Sequence, residues 1–146
     1  LLERSQDCWS DGTFKTCPRP FAQLYSIHIR VYDINRPVVF ALLHDKSRRT
    51  YQRLLHRLLQ RCPNWNPRTW MGDFEQAAIQ AVMTVFPQVT WTDCLFHLTQ
   101  SMWRNAQSFG LTRNFDRDGE MSLWMRTLPA LAMVPEEDVI GAFETL

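Results

Sequence analysis

No apolar run in this chain of 146 residues approaches the roughly 20 residues that a helix needs to cross a bilayer. The chain also lacks a signal-peptide pattern at its start, internal repeats and low-complexity tracts. With 45% hydrophobic and 21% charged residues, the composition is typical of a globular domain with a real core. We therefore expect one domain with no membrane partner. Because the chain has no initiator Met, we expect it to be a fragment of a longer protein.

A regular cysteine framework is missing as well. The four cysteines, Cys8, Cys17, Cys62 and Cys94, are scattered without the spacing of a disulfide-bonded scaffold. This pattern predicts reduced thiols in an intracellular protein.

Acidic residues are scarce in the first half of the chain. Residues 1–70 hold twelve Lys or Arg against five Asp or Glu, whereas residues 71–146 hold four against ten. This asymmetry predicts a basic face for an anionic partner and a separate acidic region. An ordinary solvated surface is the open alternative.

Hydrophobic periodicity predicts a mixed α/β fold. Apolar and polar residues alternate over 24–32, and an apolar run over 38–43 follows a turn at 33–37, so these two strands should pair antiparallel. Further strands are predicted over 6–11, 69–71 and 89–92. Apolar residues at helical spacing predict helices over 51–62 and 74–86, and a third that ends at Gly110. Residues 113–119 read as a polar connection, and residues 120–133 and 135–146 as two shorter helices.

Two aspartates stand at predicted strand ends. Asp11 precedes Gly12, where the backbone is expected to turn, and Asp73 follows the strand over 69–71. Ligands collect at strand ends in α/β sheets, and two carboxylates there suit a hard divalent cation such as Mg²⁺. The alternative is that each aspartate only caps a turn or a helix.

Several groups of residues, in this order along residues 9–109, resemble the catalytic domain of Mutator-like element (MULE) transposases. They are residues 11–16 (DGTFKT), 21–28 (FAQLYSIH), 41–43 with Thr50 and Tyr51, 73–78 (DFEQAA), and 94–97 (CLFH) with Gln100, Trp103 and Arg104. The resemblance implies a ribonuclease H-like fold: a five-stranded mixed sheet, three antiparallel strands followed by alternating helices and strands, with helices on both faces. It also implies a catalytic core over 1–112 and a helical segment over 113–146 that begins an insertion or extension.

The resemblance further implies a DDE-type transposase that cuts and joins DNA with two Mg²⁺ or Mn²⁺ ions. Asp11 and Asp73 are then the first two catalytic carboxylates and metal ligands, with Asp11 bridging both ions. The third, a Glu, lies downstream of the Cys-x-x-His motif in the family. Four glutamates of this chain are candidates by residue type alone: Glu120, Glu136, Glu137 and Glu144. The sequence leaves open whether the chain contains the family's Glu or ends before it.

Cys94 and His97 form the family's Cys-x-x-His motif. Such a pair supplies half of a tetrahedral Zn²⁺ site and needs two more ligands. We favour a packed structural role near the active site, with zinc as the alternative.

A DNA transposase would also need cations for phosphate. The candidates for contacts with DNA phosphates are Lys15, Lys46, Arg48, Arg49, Arg53 and Arg57. The expected partners are the terminal inverted repeats of the element and the target DNA, bound by a homo-oligomer in the nucleus. The alternatives are a domesticated, inactive module that binds DNA or protein, and a nuclease of the same fold.

Overall fold

The computed structural model describes residues 1–15, 17–112 and 119–146. These residues form two compact units, Leu1–Cys94 and Leu95–Leu146. Residues 113–118 of the predicted polar connection lie outside the described part of the chain. The predicted domain boundary after residue 112 therefore stays a prediction.

The first unit is built on one five-stranded sheet. Its strands are β1 (Asp7–Thr13), β2 (Gln23–Val31), β3 (Ile34–Leu43), β4 (Thr69–Gly72) and β5 (Thr90–Asp93), in the spatial order β3-β2-β1-β4-β5. β1 and β2 are antiparallel, as are β2 and β3, whereas β1 pairs with β4 and β4 with β5 in parallel. The predicted mixed five-stranded sheet is confirmed.

Two helices cover one face of this sheet. They are α1 (Arg48–Arg61), between β3 and β4, and α2 (Gln76–Val85), between β4 and β5. Strand side chains alternate between faces, and the buried ones share one face. They form a single core with buried residues of both helices, the strands giving Cys8, Tyr25, Ile27, Ile29 and Trp70 and the helices Tyr51, Leu55, Ala78, Ala81 and Val82. Helices on the opposite face stay a prediction.

The turn between β2 and β3 is shorter than predicted. Tyr32 and Asp33 have φ of 50° and 61°, so two left-handed residues make the turn and β3 begins at Ile34. The prediction placed residues 33–37 in the turn because Asp, Asn and Pro favour turns. Pro37 is tolerated in β3 because β3 is an edge strand, and the pairing register shifts beside it, between Ile27 and His28 of β2.

Helix α1 starts three residues before the predicted apolar periodicity. Ser47 is its N-cap, and the Ser47 hydroxyl accepts a hydrogen bond from the Thr50 backbone N–H at 3.3 Å. The Asp45 carboxylate accepts one from the Ser47 backbone N–H at 2.8 Å. Hydrogen bonds from Thr50 and Ser47 lower the pKa of Asp45 to about 2. The polar residues before the helix therefore fix where it begins.

The second unit is helical. It contains α3 (Leu95–Ser108), α4 (Glu120–Thr127) and α5 (Val139–Glu144), with 3₁₀ turns at Leu128–Met133 and Glu136–Asp138. Helix α3 ends at Ser108, and Gly110 follows with a φ of 72°, in line with the predicted helix end at this glycine. The predicted helix over 120–133 breaks into α and 3₁₀ parts because Pro129 has no N–H for an i→i−4 bond. Among the described residues, no helix is both long and apolar enough to span a membrane.

Candidate functional site

The pairing of β1 with β4 aligns the two predicted acids. Asp7 lies opposite Thr69 and Trp9 opposite Met71, so partners in this parallel pair are 62 positions apart. Asp11 and Asp73 have the same separation. The last pair of this ladder is Trp9 with Met71, and Asp11 and Asp73 each lie two residues beyond it. Asp11, within β1, and Asp73, just after β4, therefore follow this ladder at the same offset toward the carboxyl ends of the two strands.

Gly12 does not turn the backbone, contrary to the prediction. β1 continues through Gly12 to Thr13, and Gly12 pairs with Tyr25 of β2. The glycine serves close packing instead, because a Cβ there would lie 2.5 Å from the side-chain oxygen of Gln23. Gln23 is buried and donates a hydrogen bond from Nε2 to the Tyr51 hydroxyl at 2.6 Å. Gly12 thus leaves room for a polar link between β2 and α1.

Replacing Gly12 with alanine is expected to lower the free energy of unfolding by about 1–3 kcal/mol, because the new methyl group displaces a buried, hydrogen-bonded side chain. Urea denaturation measures the change. Gly141→Ala is the matched control, since a Cβ there meets nothing within 4 Å and alanine favours the helix. Equal stability of Gly12→Ala and the wild type would contradict the close approach.

Asp73 also contacts the start of the next helix. Its Oδ1 accepts a hydrogen bond from the backbone N–H of Glu75 at 3.2 Å, one residue before α2. This is the turn-capping role that the sequence left open. An ionised carboxylate has about four acceptor positions, so one hydrogen bond leaves others for a cation. Capping and metal binding are compatible at Asp73.

Lys46 connects the two segments that carry the acids. Its Nζ lies 3.8 Å from the centre of the Phe14 ring, three residues after Asp11, and 3.8 Å from Oε2 of Glu75, two residues after Asp73. Both members of the ion pair keep solvent access, with 44% and 29% of the two side chains exposed, so this pair adds little stability. It places a positive charge beside the candidate site, and nothing in the sequence pattern indicated these partners.

Two buried tyrosines, Tyr25 and Tyr51, lie near the candidate site, and the sequence pattern does not indicate this closeness. Burial raises the pKa of Tyr25; the nearby charges of Asp73 and Asp11 add to this, and a hydrogen bond with Ser10 opposes it. Burial also raises the pKa of Tyr51 to about 12, opposed by its bond with Gln23. Both phenols therefore stay protonated at neutral pH. The alternation over 24–32 predicted the burial of Tyr25 but not its closeness to the acids.

The predicted phosphate contacts differ in their surroundings. Lys15 is exposed just after β1, and Lys46 makes the contacts given above. Arg48 donates a hydrogen bond to the Thr84 hydroxyl at 2.9 Å. Arg49, Arg53 and Arg57 are exposed on α1. Within the described ranges, no ion pair joins an α1 arginine to a carboxylate.

The remaining predicted residues are divided between the two units. Cys94 follows β5, and its backbone N–H donates to the Gly72 carbonyl at 2.9 Å. His97 lies in α3, its ring 5.5 Å from that of Phe96, and all four candidate glutamates belong to the second unit. In the part of the chain that the structure describes, no group of three or more His, Cys, Asp or Glu side chains is arranged to hold a metal ion. The third carboxylate is therefore not placed.

The aspartate pair fits the donor chemistry of Mg²⁺. This ion usually binds one or two carboxylates and fills its other positions with water and substrate phosphates. Two carboxylates at adjacent strand ends meet that requirement without a third protein ligand. Asp11 and Asp73 are the residues that would hold it.

A family model described as the MULE transposase domain matches residues 8–101, which is more than half of the chain. The chain belongs to this family. The match covers the sheet of the first unit except Asp7, the first residue of β1, and reaches into α3, so it includes Asp11, Asp73, Cys94 and His97. No curated protein matches the chain. The resemblance seen in the sequence is thus confirmed at the level of the MULE transposase domain.

Proposed function

We propose that this MULE transposase domain has a ribonuclease H-like fold and catalyses metal-dependent cleavage and joining of DNA strands. The observation that carries the proposal is that Asp11 on β1 and Asp73, just after β4, each lie two residues beyond the last pair of the parallel β1–β4 ladder. Membership of a transposase family supports DNA as the substrate. The strand order, with β1 in the centre, is compatible with this fold.

The two aspartates have different roles in the proposal. Asp11 lies on the central strand and would contact both Mg²⁺ or Mn²⁺ ions, while Asp73, already fixed by the Glu75 backbone, would hold one of them. When bound, such ions activate the attacking hydroxyl and stabilise the leaving oxygen of an in-line displacement. Lys46 supplies a cation next to this edge for the DNA phosphate. We also propose that the protein acts in the nucleus as a homo-oligomer, on terminal inverted repeats and target DNA.

The second candidate function is a domesticated module that binds DNA without cutting it. It is favoured by the lack, among residues 1–15, 17–112 and 119–146, of a third metal-binding side chain beside the aspartate pair. Such a module would keep the fold and the basic helix α1.

The test measures metal binding and DNA nicking separately on the whole chain. Mn²⁺ binding is followed by electron paramagnetic resonance, and nicking on supercoiled plasmid that carries candidate terminal repeats, with Mg²⁺, Mn²⁺ or EDTA. Binding together with metal-dependent nicking supports a transposase. Binding without nicking supports the inactive module. No Mn²⁺ binding at millimolar concentration would overturn the metal site.

A further inference from the structure

A groove of about 280 Å³ lies at the outer edge of the sheet, between the carboxyl end of β3 and helix α1. Its apolar lining includes Ala41, Leu42 and Leu54. Its polar lining includes His44, Arg53 and Arg57, whose side chains are exposed. The groove therefore combines an apolar floor with two guanidinium groups.

The helix beside the groove carries only one sign of charge. Four of its arginines follow one another at intervals of four residues, Arg49, Arg53, Arg57 and Arg61, and it contains no Asp or Glu. Like charges at this spacing lie on neighbouring turns and destabilise a helix. No ion pair within the described residues offsets this repulsion. A phosphate polymer would relieve it, which is the charge complementarity expected of a nucleic-acid surface.

The groove is level with the candidate active site. β1 and β3 run in the same direction because both are antiparallel to β2. Leu24 of β2 pairs with Thr13 on one side and with Leu42 on the other, so Leu42 is level with Thr13, two residues beyond Asp11. Two strand spacings separate them, about 10 Å. A DNA strand at the Asp11 edge would reach the groove within a few nucleotides.

We propose that the groove between β3 and α1 binds a single DNA strand beside the candidate active site, with Arg53 and Arg57 on its phosphates and an unstacked base on the apolar floor. A volume of about 280 Å³ is close to the lower end of ligand pockets, which suits one nucleotide. A duplex keeps its bases stacked inside and would leave the apolar floor unused. The inference rests on the proposed function and adds a subsite to it.

The test measures binding of the whole chain to a labelled single-stranded DNA by fluorescence anisotropy, in EDTA. The Arg53→Gln/Arg57→Gln variant should bind about tenfold more weakly, and its affinity should depend less on salt, with a slope smaller by about 1.4 for two lost phosphate contacts. Gln is a good helix former, so α1 should persist, and circular dichroism checks this. The control Arg30→Gln/Arg36→Gln removes the same charge near the Tyr32–Asp33 turn, at the far end of β3, and should change affinity less than twofold.

Three further probes test whether the groove prefers a single DNA strand that carries its bases: the duplex, an abasic strand and the matching RNA. All three should bind the wild-type chain no more tightly than the DNA strand, and the abasic strand more weakly. Equal losses in groove and control variants, preference for duplex or RNA, or unchanged binding of the abasic strand would each overturn the proposal. Because EDTA removes divalent metal, failure of metal-dependent nicking bears on the proposed function alone.

Discussion

Asp11→Asn is expected to lower metal-dependent DNA nicking at least about a hundredfold, because loss of even an outer-shell partner of a metal ligand typically costs 10–100-fold. The amide has nearly the shape of the carboxylate but no negative charge, and it is a poor ligand for Mg²⁺. Asp73→Asn should act in the same direction. It should keep its capping bond, because the side-chain oxygen of Asn also accepts from the Glu75 N–H.

The effect on stability separates a metal site from a structural one. Without metal, Asp11 and Asp73 bring two negative charges to the carboxyl-end side of the neighbouring strands β1 and β4, and like charges close together are destabilising. Asp11→Asn should therefore unfold at the same temperature as the wild type or slightly higher in EDTA, while losing Mn²⁺ binding. Functional sites often show this trade between stability and activity.

Asp33→Asn is the matched control for this pair. Asp33 lies in the β2–β3 turn, is exposed, and pairs with Arg30 at 3.0 Å. Asn tolerates its left-handed backbone, so the fold should not change. Nicking and Mn²⁺ binding should match the wild type. If Asp11→Asn keeps both activities, or if Asp33→Asn loses them equally, Asp11 does not hold the metal.

Much of the sheet was predictable from local patterns. The alternation around Tyr25, Ile27 and Ile29 predicted β2 because one face of that strand is buried. The β2–β3 turn was misplaced because Pro37 favours a turn in isolation, and only the edge position of β3 makes it acceptable within a strand. Similarly, glycine favours a turn at position 12 in isolation, and the packing of Gly12 against Gln23 is a long-range contact that the local sequence does not show. The errors lie where tertiary contacts outweigh local preference.

The candidate site was predictable in part. The sequence indicates Asp11 and Asp73 as candidates because Asp11 ends one predicted strand and Asp73 follows another. Their proximity depends on β1 and β4 being parallel neighbours, which the sequence does not show. The link from Phe14 through Lys46 to Glu75 joins three loops and has no periodic signal. The groove at β3 likewise depends on where α1 crosses the sheet edge. Residue types were visible in the sequence, whereas their neighbours required the fold.

Trp70→Ala is expected to lower the free energy of unfolding by about 3–5 kcal/mol, which is a large part of the 5–15 kcal/mol that stabilises a typical domain. Trp70 is fully buried on β4, opposite Cys8 of β1. Its ring packs against Phe86 at 6.0 Å and Trp65 at 5.7 Å, so alanine would leave a cavity between α2 and the sheet. Urea denaturation measures the loss.

A hydrogen bond of Trp70 adds to this loss of stability and connects Trp70 to the residue before Asp11. The Trp70 indole N–H donates to the buried Ser10 hydroxyl at 2.8 Å, and Ser10 immediately precedes Asp11. Trp70→Phe keeps an aromatic ring in the core but removes this bond and part of the ring volume, so it should cost at least about 1–2 kcal/mol and less than Trp70→Ala. In the double variant with Ser10→Ala, the two losses should not add, because both remove the same interaction.

The comparison of these variants shows whether core packing maintains the aspartate pair. Trp70→Phe should keep β1 and β4 in register and should bind Mn²⁺ like the wild type, whereas Trp70→Ala should bind it more weakly as its folded fraction falls. Trp124→Ala, in the second unit, removes a partly exposed tryptophan and should cost less than Trp70→Ala. A loss below about 1 kcal/mol for Trp70→Ala would be too small for a buried tryptophan. The packing of Trp70 in the core would then not be what maintains the aspartate pair.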